Sequence, residues 1–233
     1  QEQVVHVELP PKHRRVYDRG LARQRQRVLG LLEDAARNRI AIFRALTALR
    51  QLSLHPGLVE PEHRGQPCAK IDTLIELMSP VIAEGHKVLV FSQFTSFLAL
   101  VRERLVMEGV LFSYLDGTTR DRQQVVEEFR TGANQVFLIS LKAGGVGLTL
   151  TEADYVFLLD PWWNPAVEAQ AIDRTHRIGQ DKPVNVYRLV SADTIEDKVV
   201  ALQNRKRELF ASVVDDGALA SGSLTADDIR GLL

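Results

Sequence analysis

Apolar positions recur along this chain with two different periods, and the change of period divides it. Residues 4–9 alternate as a short strand does, after which Pro10 and Pro11 open a long arginine-rich helical stretch. In residues 40–54 the set Ile40, Phe43, Leu46, Leu49 and Leu52 repeats at helical spacing, and His55-Pro56-Gly57 stops it. The loop that follows is rich in Pro, Gly and charge. The expected organisation is therefore a helical appendage and connection over residues 1–56, a linker over 57–68, a main domain over 69–216 and an acidic tail over 217–233.

Within the main domain the periods alternate. The pattern predicts helices over residues 70–84, 95–107, 120–130, 165–178 and 194–214, with strands over 87–92, 111–115, 135–140, 155–160 and 184–190. Runs such as VLVF and VFLLD have no polar face, as strands buried on both sides by helices require. The fold expected is a doubly wound, mostly parallel α/β sheet. Such sheets bind ligands beyond the carboxyl ends of their strands, where the loops with Gln93, Asp116-Gly117, residues 142–147 and residues 160–165 should lie.

Composition narrows the class. The 233 residues are 45% hydrophobic and 25% charged, which suits a globular protein and argues against general disorder. No stretch approaches the roughly 20 apolar residues that span a bilayer, and the N-terminus lacks the apolar core of a signal peptide. A cytoplasmic or nuclear location is expected. Cys68 is the single cysteine, so an internal disulfide is excluded, and the start at Gln1 without methionine suggests a fragment. A net charge of -1 conceals eleven Lys and Arg between residues 12 and 50. That basic end could face an anion or be a solvated helical surface.

The stretch QAIDRTHRIGQ, residues 170–180, places Arg174 and Arg177 one helical turn apart. Arginine is always charged and donates through a planar fork, so two such groups can converge on one polyphosphate. An ordinary ion-paired helix, with Asp173 and Arg177 four residues apart, explains the same spacing. His176 between them suits an orienting role better than that of a general base. Gly144, Gly145 and Gly147 permit close backbone approach to a phosphate, with Lys142 adding charge nearby. A dinucleotide fingerprint does not fit, because the third glycine of G-x-G-x-x-G is missing. Trp162 and Trp163 stand adjacent between Asp160 and Pro165, open to packing beneath their loop or to a contact with another lobe or DNA. Asp116-Gly117 with Thr118 and Thr119 is expected to open a helix whose free N–H groups could hold a DNA phosphate, or merely to cap it. His55, His63 and Cys68 fit no common zinc spacing, and no metal site is expected of them.

Taken together these segments resemble the motifs of Swi/Snf-class superfamily 2 helicase-like ATPases. QAIDRTHRIGQ resembles the sixth motif of that class, KVLVFSQF (87–94) the fourth, LDGTTRDRQQVVEEF (115–129) the one after it, and LISLKAGGVGLTLTEAD (138–154) the fifth. DPWWNP (160–165) is similar to the neighbouring tryptophan motif, and ALRQLSLHP (48–56) to the helix between lobes. The resemblance implies the second, C-terminal RecA-like lobe of such a motor. It further implies Arg174 and Arg177 as arginine fingers, with Gly145, Gly147, Gln170 and Asp173 facing the nucleotide. Gln93, Asp116, Gly117, Lys142 and Trp162 are implied to meet the DNA backbone. The implied cofactor is ATP with Mg2+, and the partners are a first RecA-like lobe, duplex DNA without sequence preference, and protein complexes on that DNA. The chain contains no G-x-x-x-x-G-K-[ST] loop and no DEAD- or DEAH-like acidic motif, so the phosphates and magnesium would be held mainly by the first lobe. The competing reading is a non-catalytic docking platform of the same fold.

Overall fold

In a computed structural model, residues 1–143, 148–173, 182–213 and 224–233 are described. They form two compact units: residues 1–7, 68–162 and 166–190 make the first, and residues 8–67, 163–165 and 191–233 the second.

The first unit is built on six strands: β1 (Glu2–Val7), β2 (Val88–Ser92), β3 (Phe112–Leu115), β4 (Val136–Ser140), β5 (Tyr155–Leu158) and β6 (Asn185–Ser191). Their order across the sheet is β1-β6-β5-β2-β4-β3. The pairs β3–β4, β4–β2, β2–β5 and β5–β6 are all parallel, as the unbroken apolar runs predict. Every residue of β2 and β4 is buried, because helices cover both faces. The helices are α3 (Ala69–Ala83), α4 (Thr95–Met107), α5 (Arg122–Thr131) and α6 (Pro165–Ile172). The core gathers Leu89, Phe91, Phe129, Phe137, Ile139 and Leu158 on one face of the sheet.

The order of strands creates a switch point. From β2 the chain crosses toward β3 at one edge, whereas from β5 it crosses to β6 on the other side, so β2 and β5 are neighbours whose connections diverge. The register keeps the exits level, with Phe91 beside Leu158 and Ser92 beside Ser140. A crevice at the carboxyl ends of β2 and β5 is where ligands of such sheets settle.

The second unit contains α1 (Pro11–Leu31), α2 (Arg39–Leu54), α7 (Ile195–Val213) and α8 (Ala226–Leu232). Val16, Tyr17 and Val28 of α1, Leu46, Leu49 and Leu52 of α2, and Ile195, Val199 and Leu202 of α7 share one apolar cluster. Helix α7 thus groups with the N-terminal helices, although alternation along the sequence assigns it to the sheet domain. Ile40 and Phe43, expected on the apolar stripe of α2, are exposed at 71% and 37%, and Ile42 and Ala45 take the buried face instead. The acidic tail, which its charge suggests is a flexible end with one short helix, does carry that helix, α8, but its last residues are anchored. Thr225 and Asp228 form a capping box at the start of α8, and Ile229, Leu232 and Leu233 are buried in the same cluster.

His55 ends α2 buried and neutral. Its Nε2 donates to the Gln66 carbonyl at 2.8 Å and its Nδ1 accepts from the Gly57 N–H at 3.0 Å, which leaves no site for a second proton. Burial pushes its pKa below the ordinary 6.5, against the smaller upward pull of the Gln66 bond. A depressed histidine pKa means the unfolded chain takes up protons first as pH falls. The stabilisation is full above about 6.5 and is lost as pH drops toward the folded pKa. Urea unfolding from pH 7.5 to 5 should show a decline in stability that His55→Asn makes shallower; identical slopes would remove this role.

Candidate functional site

The carboxyl ends of β2 and β5 are stapled by one buried carboxylate. Asp160, 2% exposed, accepts the Ser92 hydroxyl on Oδ1 and the backbone N–H of Gln93 on Oδ2 at 3.2 Å. The Ser92 Oγ in turn accepts the N–H of Phe94 at 3.1 Å. Both oxygens of Asp160 therefore hold the loop after β2 in place.

Two further buried ions brace the same edge. Lys70, at the start of α3, donates from Nζ to the carbonyls of Leu159 at 2.8 Å and Leu189 at 3.2 Å, joining the exits of β5 and β6. Glu168 of α6 is fully buried; Oε1 accepts the backbone N–H of Trp162 at 2.7 Å and Oε2 pairs with Arg188 Nη1. A buried charge is tolerated only when paired or richly hydrogen-bonded, and here each secures a loop or strand end. Sequence reading placed Asp160 in this loop but passed over Lys70, Glu168 and Arg188. No local signal marks them, because Lys70 reaches Leu189 across 119 positions and Glu168 reaches Arg188 across 20.

At the end of β3 the chain makes a tight turn rather than entering a helix. Asp116 Oδ1 accepts the Thr118 N–H at 2.8 Å and hydroxyl at 2.7 Å, the Thr119 hydroxyl accepts the Asp116 N–H at 3.0 Å, and Tyr114 donates to Oδ2 at 2.8 Å. The Thr118 hydroxyl holds the Asp116 carboxyl below its usual pKa despite opposing burial. Burial, followed by this bond to Asp116, pushes Tyr114 up to about 12. The expectation that Thr118 and Thr119 open a helix fails because their hydroxyls close the aspartate turn. Helix α5 instead begins at Arg122, capped by Asp121, whose Oδ1 accepts the Gln124 N–H at 3.0 Å. Gly117 is exposed, and an added Cβ there would meet nothing within 4 Å.

Of the remaining predicted residues, Lys142 is exposed two positions beyond β4, and Gln170 and Asp173 are exposed at the end of α6. Gly145, Gly147, Arg174, His176 and Arg177 lie outside the described residues. The adjacent tryptophans divide between the units: half-buried Trp162 packs on the sheet cluster, and half-buried Trp163 packs on the helical cluster with the Arg50 guanidinium 4.4 Å from its ring centre. The edge thus brings Gln93, Trp162 and Asp160 together at the switch point, with the Lys142 and Asp116 loops on the same side of the parallel strands.

Comparison with known proteins agrees with this architecture. Residues 69–179 match the family described as the helicase conserved C-terminal domain. An uncharacterized ATP-dependent helicase of Schizosaccharomyces pombe is 46% identical over 165 residues, covering 69% of this chain and 16% of its own length. DNA repair protein RAD5 of Cryptococcus neoformans is 48% identical over 164 residues, covering 68% of this chain and 14% of its own. This chain therefore spans less than a fifth of either relative. The Sulfolobus solfataricus SWI2/SNF2 ATPase core in complex with dsDNA superimposes with a TM-score of 0.75 at 26% identity, over 100% of this chain and 49% of that one. With family match, relatives and fold in agreement, the chain belongs to the SWI2/SNF2 class of helicase-like ATPases, as its C-terminal RecA-like lobe.

Proposed function

We propose that this chain is the second motor lobe of an ATP-dependent translocase on duplex DNA, acting on protein complexes bound there. The observation that carries the reading is the braced edge at the switch point, where the Asp160 staple and the Glu168 pair fix the Gln93 and Trp162 loops. Rigid presentation of such loops suits phosphate contacts that must be made and released in register. Gln93, the Asp116-Gly117 turn, Lys142 and Trp162 meet the DNA backbone in this reading. Gly145, Gly147, Gln170 and Asp173 face the nucleotide, and Arg174 and Arg177 approach its phosphates when the lobes close.

ATP with Mg2+ belongs mainly to the other lobe. When bound, the nucleotide supplies the phosphoryl transfer, and this chain contributes positioning and positive charge. The isolated 233-residue chain should accordingly show no DNA-stimulated ATP turnover, and turnover should return when a matching first lobe is added. Hydrolysis by the chain alone would refute the division of labour. Folded lobes that associate on DNA yet never hydrolyse ATP would favour a docking platform instead.

A further inference from the structure

We infer that α1 carries a second phosphate-binding surface, a basic stripe that lies along the backbone of duplex DNA. The inference rests on the duplex-binding reading above but concerns residues which that reading does not use. Helix α1 holds seven Lys and Arg and one acidic residue, Asp18. Five of the cations, Lys12, Arg15, Arg19, Arg23 and Arg27, follow one another at spacings of 3, 4, 4 and 4 residues. That spacing draws a single line along the helix surface, about 22 Å long at 1.5 Å per residue. All five are exposed.

The partners of these cations set them apart from Arg14 of the same helix. Arg14 turns away to the carbonyls of Ala192 and Asp193, at 2.7 and 2.8 Å, and approaches Asp18. Within the stripe only Arg19 has an acidic partner, Glu60 at 2.8 Å. Among the described residues no carboxylate lies within ion-pair distance of Lys12, Arg15, Arg23 or Arg27. A helix selected for stability alone would interleave glutamate, since like charges four residues apart repel and opposite charges attract. A line of one sign matches a ligand whose own charge repeats. Four of the five are arginine, whose flat fork donates to phosphate oxygens in pairs. A phosphodiester backbone offers such a repeat, one charge for each 3.4 Å of axis along each strand, over the whole length of the stripe.

The experiment compares the unaltered chain with Arg15→Gln/Arg23→Gln/Arg27→Gln. A charge-matched control, Arg37→Gln/Arg39→Gln/Arg44→Gln, changes exposed arginines of the α2 region that lie off the stripe. Binding to a fluorescent duplex of mixed sequence is titrated between 50 and 200 mM salt, with thermal unfolding confirming that each variant is folded. Each lost phosphate contact should flatten the plot of log affinity against log salt by about 0.9, so the stripe variant should lose about 2 to 3 from the slope. At 0.1 M salt that corresponds to an affinity on the order of 10²-fold weaker. The control should change far less. Equal losses in the two variants would mean a general charge effect and overturn the stripe as a site. An unchanged slope in the stripe variant would also overturn it, leaving the duplex-binding reading intact and pointing to an acidic protein partner. Absence of duplex binding by the unaltered chain at 50 mM salt would overturn both.

Discussion

Replacing Arg174 or Arg177 with alanine, in a two-lobe protein that joins this chain to a first RecA-like lobe, is expected to lower DNA-stimulated ATP turnover by about 10³ or more. In the proposed function these guanidinium groups reach the transferring phosphate only when the lobes close. They then stabilise the transition state more than they stabilise bound ATP. The loss should fall on kcat, while ATP and DNA affinities change much less. An ordinary helix pair between Asp173 and Arg177 predicts something different. Its removal would cost at most about 0.5 kcal/mol of stability and leave turnover intact. Steady-state kinetics on both single variants, with folding verified, separates the two. Near-normal turnover in both would end the arginine-finger assignment.

Glu168→Ala should destabilise the sheet unit by about 3 kcal/mol or more. Glu168 is fully buried and Arg188 is 13% exposed, so the substitution leaves a guanidinium with little water to solvate it and strips the Trp162 N–H of its acceptor. Removing one partner of a buried ion pair typically costs about 3 to 5 kcal/mol. The low end is expected here, because Glu2 lies 3.5 Å from Arg188 Nε and can offset part of the charge. Glu168→Leu with Arg188→Met should recover much of the loss, since the charges go together. By contrast Asp72→Ala, which breaks a surface pair with Arg104 that Glu108 also shares, should cost at most about 1 kcal/mol. Urea unfolding of the four proteins measures all of this. A Glu168→Ala loss no larger than that of Asp72→Ala would show that the pair does not brace the edge.

Where the candidate residues lie in the fold was legible because their motifs are local. Gln93, Asp116, Lys142 and Trp162 follow β2, β3, β4 and β5 within four residues, and the structure puts all four at the carboxyl edge of the sheet. The bracing behind them was not legible. Ser92 reaches Asp160 across 68 positions, and Lys70 reaches Leu159 across 89. Such distances leave no periodicity to read. The threonines after Gly117 misled for a related reason: a hydroxyl can cap a helix or close an aspartate turn, and the choice depends on where Asp116 points.

The sequence by itself determined the alternation of helix and strand, the parallel sheet and the order of the motifs, since each depends on hydrophobic periodicity or on groups a few residues apart. Tertiary structure alone decided which faces and ions found partners. It turned Ile42 rather than Phe43 into the core of α2, placed α7 with α1 and α2, and seated the end of an acidic tail through Ile229 and Leu232. Burial is a property of what covers a residue, and the covering element can come from anywhere in the chain.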